Sequence, residues 1–399
     1  SLIMAIDKVT SASITTDAVG PTQLNESANY AFTGTVTGAS ENQSAFKNII
    51  INGDMSLAQR ATSTSSITSD NTYPTCDRWK LRLTTLGTWT QSQSTTVPTG
   101  QGFAKSLKMD CTTADASPAA SDRVFVKQAI EGQNLQYLKK GTSSAESTTV
   151  SFWVRSNKTG TYICELYDED NSRSISKSYT ISSADTWEKK ELTFAGDTTG
   201  AFGNDNGDSL GLHFWLGTGT TYSSGTLNTS WGTATNANRA VGQVNLADST
   251  SNEWYITGVQ FEAGTTASDF EHIPFDMNGF RCGRYYQKVG IGMSQYRYVP
   301  SVSQNWSGQA QLGTIALNYP MRANPTTVTS GSWTGSGSDA SDNNCVPGSA
   351  SVAGGSGMND FSTLHRFSWS ANQNSQSLGK GAQYYTNADS PTLAFDAEL

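Results

Sequence analysis

Apolar and polar residues alternate along most of the chain with a period of two, which is the pattern of strands with one buried face. Between residues 46 and 276 the alternating runs are short and are separated by turns rich in Gly, Asn and Ser. One run sets an apolar face against a polar and aromatic face: Leu210, Leu212, Phe214 and Leu216 against Gly211, His213 and Trp215. This pattern predicts an all-β fold, a β-sandwich of the jelly-roll type.

Two neighbouring runs in this region also predict a local pairing. Thr149–Arg155 and Thr161–Tyr167 are both rich in β-branched and aromatic residues, and the turn-prone residues 156–160 separate them. We therefore expect these two runs to form a hairpin.

The pattern divides the chain into three regions. Residues 1–45 hold only short β-prone pieces and cannot bury enough surface to fold alone, so we expect an N-terminal extended anchor or stalk. Residues 46–276 form the predicted sandwich. Residues 277–399 begin with a short helix, predicted at 277–288, and continue as a smaller C-terminal β-domain, a candidate knob.

Composition and charge narrow the classes of partner. The chain has 10 Trp, 15 Tyr and 15 Phe, which argues against disorder. Its net charge is -8 and no basic run stands out, so we expect no nucleic-acid binding. No apolar stretch approaches the roughly 20 residues of a membrane helix, so we expect no membrane insertion. The five cysteines are widely spaced, which predicts buried apolar side chains rather than disulfides or a zinc site.

No catalytic constellation is visible, and we expect the chain not to be an enzyme. The three histidines lie far apart and have no nucleophile motif around them: His213, His272 and His365. The carboxylates considered for glycoside hydrolysis cluster at what is predicted to be a solvated hairpin tip: Asp168, Glu169 and Asp170.

Tryptophan side chains are the candidates for sugar binding, because sugar C–H faces stack on flat aromatic rings. Trp153 and Trp215 lie opposite the apolar faces of their strands, which places them on outer sheet faces. The residues predicted to bind carbohydrate are Trp153, Trp215, Trp231 and Trp333. For any single one of them, packing within the fold or against a sister subunit is the alternative.

Several phrases occur in the order that is found in a known family. They are Asn48–Arg60, Tyr73–Trp79, Gln128–Gly132, Ser151–Ser156, Ile256–Gly264 and Cys282–Gln287. Together they resemble the jelly-roll, carbohydrate-binding-module-like domain of bacteriophage tail fibres and related virion proteins. Ile6–Thr10 resembles the virion-anchoring start of such fibres, whereas Gly283 departs from the family, which more often has Gln there.

The resemblance implies a homotrimeric virion appendage, a tail fibre assembled in the host cytoplasm. Residues 1–45 would contact other phage tail or virion proteins, and the distal part would attach to a host surface glycan. It also implies that Ca²⁺ is held where the first and last strands meet, near Asn52, Asp54 and Glu262, and no other cofactor. Two alternatives stay open: a purely structural virion protein, such as a capsid projection or tail component, and a polysaccharide-degrading tailspike.

Overall fold

The computed structural model describes residues 46–70 and 73–289 and, between residues 302 and 399, the strands given below with residues 320–323, 325 and 397–399. The predicted N-terminal anchor, residues 1–45, lies outside the described residues. So does the side chain of Trp333, of which only the strand backbone is described.

Twelve strands form the N-terminal part of the described fold. In chain order they are β1 (Ser63–Ile67), β2 (Lys80–Thr84), β3 (Thr88–Ser94), β4 (Ser106–Thr113), β5 (Arg123–Glu131), β6 (Thr148–Ser156), β7 (Gly160–Asp168), β8 (Arg173–Ile181), β9 (Glu188–Phe194), β10 (Asp208–Thr218), β11 (Gly232–Thr233) and β12 (Glu253–Ala263). The first sheet has the order β1-β3-β4-β12-β6-β9, and the second has the order β11-β8-β7-β10-β5-β2. All of these neighbours pair antiparallel.

The two sheets pack face to face through the apolar faces that the alternation predicts. Phe214 on β10 contacts Phe152 on β6 and Trp254 on β12, with ring centroids 5.0 and 6.2 Å apart. All three side chains are fully buried, together with the apolar faces of the neighbouring strands. The expected jelly-roll β-sandwich is therefore confirmed, and the described part of the chain is nearly all β.

The predicted hairpin between β6 and β7 is wrong. β6 pairs with β12 and β9 in the first sheet, whereas β7 pairs with β10 and β8 in the second. The connection between them crosses from one sheet to the other. Each strand has one apolar face, and the two faces meet across the core rather than along a shared edge. Local turn chemistry cannot distinguish these two outcomes, because both need a turn between two strands.

Helices in the described residues are short. α1 spans Thr220–Ser223 and α2 spans Phe275–Gly283, and single 3₁₀ turns occupy Gly132–Asn134, Gln136–Leu138, Asn236–Asn238 and Leu246–Asp248. α2 ends five residues before the end of the predicted helix, since Tyr286–Val289 forms a strand, β13, instead. Among these helices none has both the length and the apolar composition that crossing a bilayer requires.

Two further sheets follow α2. Their remaining strands are β14 (Val302–Ser307), β15 (Ala310–Ala316), β16 (Thr326–Ser330), β17 (Trp333–Gly337), β18 (Cys345–Ala350), β19 (Leu364–Ala371), β20 (Gly381–Thr386) and β21 (Thr392–Asp396). The third sheet has the order β13-β21-β16, and the fourth has the order β17-β20-β14-β15-β19-β18.

Ion pairs join residues 396–398 to the sandwich. Arg78 is fully buried, its guanidinium lies 3.4 Å from the ring centroid of Tyr285, and it pairs with Glu398. Burial alone would lower the pKa of Arg78, but the carboxylate of Glu398 outweighs burial and raises it. Arg60 pairs with Asp396 at 2.9 Å. Glu398 pairs with both Arg78 and Arg60, and these contacts hold residues 396–398 against the sandwich.

The side chains of four cysteines are described, and all four are buried free thiols, as expected: Cys76, Cys111, Cys164 and Cys282. Burial raises the pKa of each of these thiols, so they remain protonated and packed as small apolar groups.

Candidate functional site

The outer face of the second sheet carries most of the polar chemistry of the sandwich. Side chains alternate along each strand, so the residues between the core-facing ones point away from the first sheet. On β7 these are Glu165 and Tyr167, and on β10 they are Gly211, His213 and Trp215. Across the ladder His213 stands beside Glu165 on one side and beside Lys127 of β5 on the other.

Glu165 is the centre of a buried polar cluster on this face. Its Oε1 accepts from Arg239 Nε at 2.7 Å, and its Oε2 accepts from Arg239 Nη2 at 3.0 Å, a bidentate pair. Oε2 also accepts from Trp215 Nε1 at 3.0 Å and lies 3.0 Å from His213 Nδ1. Glu165 and Trp215 are fully buried.

These contacts decide the charge states in the cluster. Burial alone would raise the pKa of Glu165, but Arg239 and His213 outweigh it and lower that pKa to about 2. Burial lowers the pKa of His213, and the opposing effect of Glu165 does not restore it. Near neutral pH Glu165 is therefore a carboxylate and His213 a neutral imidazole that donates from Nδ1–H. The other ring nitrogen of His213, Nε2, is then a hydrogen-bond acceptor.

A segment of residues 219–244, the covering segment, lies across part of this face. Its Tyr222 packs on Trp215, with ring centroids 5.5 Å apart. The backbone N–H of Ile163 donates to Gln243 Oε1 at 2.8 Å, and that of Val244 donates to the Thr161 carbonyl at 2.9 Å. The covering segment therefore takes the place of a neighbouring strand along this part of β7.

Beside the covered part, the face centres on Gly211, which is buried by its neighbours. A Cβ at Gly211 would overlap His213 Nε2 and lie 2.8 Å from Lys127 Cε, so the imidazole and the lysine stem share the space above the glycine. Lys127 Nζ donates to Glu169 Oε1 at 2.6 Å and to Asp208 Oδ2 at 2.7 Å. These two side chains fit here because Gly211 has no side chain of its own.

Two acceptors in this region lack partners among the described residues. His213 Nε2 and Asp208 Oδ1 are both buried without a hydrogen bond. Such atoms are rare in folded proteins, because an unpaired buried acceptor costs about 1–3 kcal/mol. The half-buried ring of Tyr167 stacks beside His213 at 6.0 Å and 17°, and Arg239 lies 4.5 Å from its centroid. We call the following residues the outer-face site: Lys127, Tyr167, Glu169, Asp208, Gly211 and His213.

The three predicted sugar-binding tryptophans whose side chains are described do not come together. Trp153 is half-buried on the outer face of the first sheet, beside Lys189 of β9. Trp215 lies on an outer face, as predicted, but it is fully buried beneath the covering segment and offers no ring face to solvent. Trp231 donates from Nε1 to the Ala195 carbonyl at 2.8 Å. It borders a cavity of about 20 Å³, which has room for about one water molecule and not for a sugar.

The residues predicted to hold Ca²⁺ belong to two separate hydrogen-bond networks. Asn52 Oδ1 accepts from the backbone N–H of Leu57 at 3.0 Å, and Asp54 Oδ1 accepts from Ser56 Oγ at 3.0 Å. Glu262 belongs to another network, in which both of its oxygens accept from Ser268. Donors thus already occupy Asn52 Oδ1, Asp54 Oδ1 and both carboxylate oxygens of Glu262. Among the residues that the structure describes, no three His, Cys, Asp or Glu side chains form a metal-binding group.

The carboxylates at the β7–β8 turn have separate environments. Glu169 and Asp170 are exposed, as the prediction of a solvated hairpin tip requires, but Asp168 is fully buried and pairs with Lys140. Asp168 is therefore a structural carboxylate, contrary to the expectation that all three are solvated.

Sequence reasoning missed Glu165, Tyr167 and Arg239. The alternation along β7 carried a signal for the first two, because both lie opposite the core-facing Cys164 and Leu166. Arg239 reaches the cluster from a loop, and no pattern of spacing in the sequence connects it to β7 or β10.

No family model matches the chain, and no curated protein matches it. Among solved structures, the enzymatically active domain of bacteriophage CBA120 tailspike protein 4 is similar at 13% identity and a TM-score of 0.30, over 55% of this chain and 22% of that chain. A family 11 carbohydrate-binding module from Clostridium thermocellum, in complex with a β-1,3-1,4-mixed-linked tetrasaccharide, is similar at 11% identity and a TM-score of 0.26, over 52% of this chain and 99% of that one.

A third similarity is to a xylan-binding domain from CBM 22, at 12% identity and a TM-score of 0.25, over 53% of this chain and 99% of that chain. These similarities are too weak to indicate what the present chain binds, which has to be argued from its own residues.

Proposed function

We propose that the chain binds glycans at the outer-face site and serves as an attachment protein. The observation that carries this proposal is the pair of buried acceptors without partners, His213 Nε2 and Asp208 Oδ1, beside the half-buried ring of Tyr167. A sugar offers both complements: hydroxyl donors for the acceptors and a C–H face for the ring.

The experiment is a glycan array probed with the purified chain. Tyr167→Ala removes the ring and is expected to abolish the signal of the bound glycans. Tyr137→Ala is the matched control, since Tyr137 is an exposed tyrosine that contributes nothing to the outer-face site. An array without any bound glycan, or equal binding by the Tyr167→Ala variant, would refute the proposal.

We propose further that the chain is a bacteriophage tail fibre, on the strength of the ordered sequence phrases that resemble that family. In this proposal the chain is a homotrimer in the virion, residues 1–45 join it to other tail or virion proteins, and the sandwich meets a glycan on the host surface. Several weak sites on one particle would give high avidity. Labelling residues 1–45 in assembled particles tests this: a label at the tail supports a fibre, whereas a label on the capsid lattice favours a capsid projection.

We propose binding rather than catalysis on this face. General acid–base catalysis works best when the pKa of the catalytic group lies near the operating pH. The pKa of Glu165 is about 2, and that of His213 is lowered by burial, so neither group is suited to exchange a proton near pH 7. Release of oligosaccharides from a bound polysaccharide would contradict this and would favour a tailspike.

A further inference from the structure

Exposed apolar side chains concentrate in two segments of the described chain. Among the described residues, the large apolar side chains that are exposed are those of Phe46, Tyr137, Phe275, Met277 and Phe280. All of them except Tyr137 lie at residue 46, where the chain enters the sandwich, or on α2, which follows it. Single exposed apolar side chains need no explanation, but a concentration of them marks an interaction surface.

These two segments lie against each other. The carboxylate of Glu271, just before α2, accepts from the backbone N–H of Phe46 and, at 2.9 Å, from that of Asn48. Arg281 of α2 donates from Nη2 to the Asn48 carbonyl at 3.1 Å. The exposed ring of Phe46 and the exposed side chains of α2 therefore lie at the same end of the sandwich.

An aromatic cluster adjoins these side chains. The ring centroids of Phe103 and Phe270 are 5.1 Å apart, and those of Phe270 and His272 are 4.9 Å apart. Phe103 and Phe270 are half-buried and His272 is exposed. Glu271, between Phe270 and His272 in the chain, is the residue that binds the backbone of Phe46. We call the following residues the end patch: Phe46, Phe103, Phe270, His272, Phe275 and Met277.

The place of Phe46 in the chain indicates which partner covers the end patch. A threefold appendage that is attached to the particle through residues 1–45, as proposed above, has its three attachment segments around one axis. Consecutive Cα atoms are about 3.8 Å apart, so residue 46 follows residue 45 towards that axis. The three copies of Phe46, each exposed by 55%, are thus brought towards one another together with the α2 helices beside them.

Charges of both signs border the end patch. Lys47 and Arg281 are positive, and Glu271 and the exposed Asp276 are negative. An anionic membrane surface or a nucleic acid is recognised by a basic patch, which these four residues do not form. In a threefold ring, different faces of neighbouring copies meet, so a surface with both charges can complement another copy of itself.

We infer that the end patch is the surface through which copies of this chain pack against one another around the threefold axis. This inference rests on the proposed homotrimer and not on the proposed glycan binding. Phe275 is the most exposed large apolar side chain of the described residues, at 65%, and is the anchor that a neighbouring copy buries. Aromatic residues and Met are enriched in the cores of such interfaces.

Cross-linking of the full chain tests this inference. Cys345→Ser leaves only the four buried thiols in the chain. In that background Phe275→Cys, treated with a short bismaleimide, is expected to join chains in covalent pairs, because the three copies of residue 275 lie at one interface.

Thr159→Cys in the same background is the matched control. Thr159 is exposed in the turn after β6, where Ser156 pairs with Trp254 at the start of β12. The end patch adjoins the other end of β12, where the backbone N–H of Ile49 donates to the Phe261 carbonyl at 2.9 Å. We expect the chains of this control to stay single.

Sedimentation of wild type separates the possible failures. A wild-type trimer whose Phe275→Cys form stays uncross-linked would overturn this inference alone, and the end patch would then be covered by residues 1–45 of the same chain or by another virion protein. A wild type that sediments as a monomer would overturn the proposed homotrimer as well. Either result leaves the proposed glycan binding standing.

A second variant measures the contribution of the ring. Phe275→Ser should raise the dissociation constant of the trimer at least about tenfold, because the side chain that a neighbouring copy buries is lost. Phe275 is the first residue of α2 and is mostly exposed, so we expect the variant to fold, and unfolding curves check this. A folded variant whose trimer dissociates at the same concentration as the wild-type trimer would contradict the inference.

Discussion

The buried carboxylate of Glu165 offers a sharp test of how the outer face of the second sheet is held together. Glu165→Gln keeps the shape of the side chain and removes its charge, so the buried Arg239 loses its counterion. The pKa of Glu165 falls from 4.5 to about 2 in the fold. At about 1.4 kcal/mol for each pKa unit, this corresponds to about 3 kcal/mol of stability near pH 7. Breaking a buried ion pair by removing one partner costs about 3–5 kcal/mol, which agrees.

The sign of the pH dependence follows from the lowered pKa. The contribution of Glu165 to the free energy of unfolding is fully present above pH 4.5, the pKa of this group in the unfolded chain. It is lost as the pH falls through about 2, the pKa in the folded chain. Urea unfolding followed by tryptophan fluorescence measures the difference between wild type and Glu165→Gln, and hydrogen exchange in residues 219–244 shows whether the covering segment loosens.

Glu146→Gln is the control for this experiment. Glu146 pairs with Lys139 at 2.6 Å, but both side chains are exposed, at 41% and 52%. We expect this change to alter stability by less than about 0.5 kcal/mol. A Glu165→Gln variant that loses less than about 1 kcal/mol at pH 7, or whose deficit stays constant below pH 4.5, would refute the reasoning.

Three further changes have expected outcomes. Glu398→Gln leaves the buried Arg78 without its carboxylate and should cost about 3 kcal/mol in urea unfolding; a loss below about 1 kcal/mol would show that the pair is not buried in solution. Burial raises the pKa of Asp77 from 3.8 to about 6, so the contribution of Asp77 to stability is full below pH 3.8 and is lost as the pH rises through about 6. Over that window wild type should lose about 3 kcal/mol of unfolding free energy relative to Asp77→Asn. A difference that stays constant with pH would contradict the raised pKa. Gly211→Ala places a methyl group against His213 and should cost about 1–3 kcal/mol and weaken glycan binding in a titration; unchanged binding would mean that the space above Gly211 is not used.

The sandwich follows from the sequence because period-two alternation marks both which residues form strands and which face is buried. The four leucine and phenylalanine positions of β10 all lie in the core, on the face that the alternation predicts. Which strands become neighbours does not follow. β6 and β7 are adjacent in the chain and lie in different sheets, because the turn between them is compatible with a hairpin and with a crossing of the sandwich.

The candidate site was harder to predict. An outward-facing Glu or His on a strand is expected to be solvated, but Glu165 and His213 are both buried, and Arg239 of the covering segment pairs with Glu165. The position of that segment is set by long-range contacts such as that of Arg239 with Glu165. Trp215 shows the same effect, since its place on the outer face was predictable and its burial was not. The predicted C-terminal end of helix α2 was wrong because Tyr286 pairs with Asp396, a strand partner more than one hundred residues away.

The affinity of the chain for the glycan with the strongest array signal, measured by titration calorimetry for wild type, Tyr167→Ala and Tyr137→Ala, tests the proposed site most directly. An aromatic contact contributes about 0.5–1.5 kcal/mol beyond the apolar area that it buries, and the buried area adds to this, so we expect a total near 1.4 kcal/mol or above, which is a tenfold change in affinity. We predict that Tyr167→Ala weakens binding tenfold or more and that Tyr137→Ala binds like wild type. Equal affinities of wild type and Tyr167→Ala, in variants that are both folded, would contradict the proposed site.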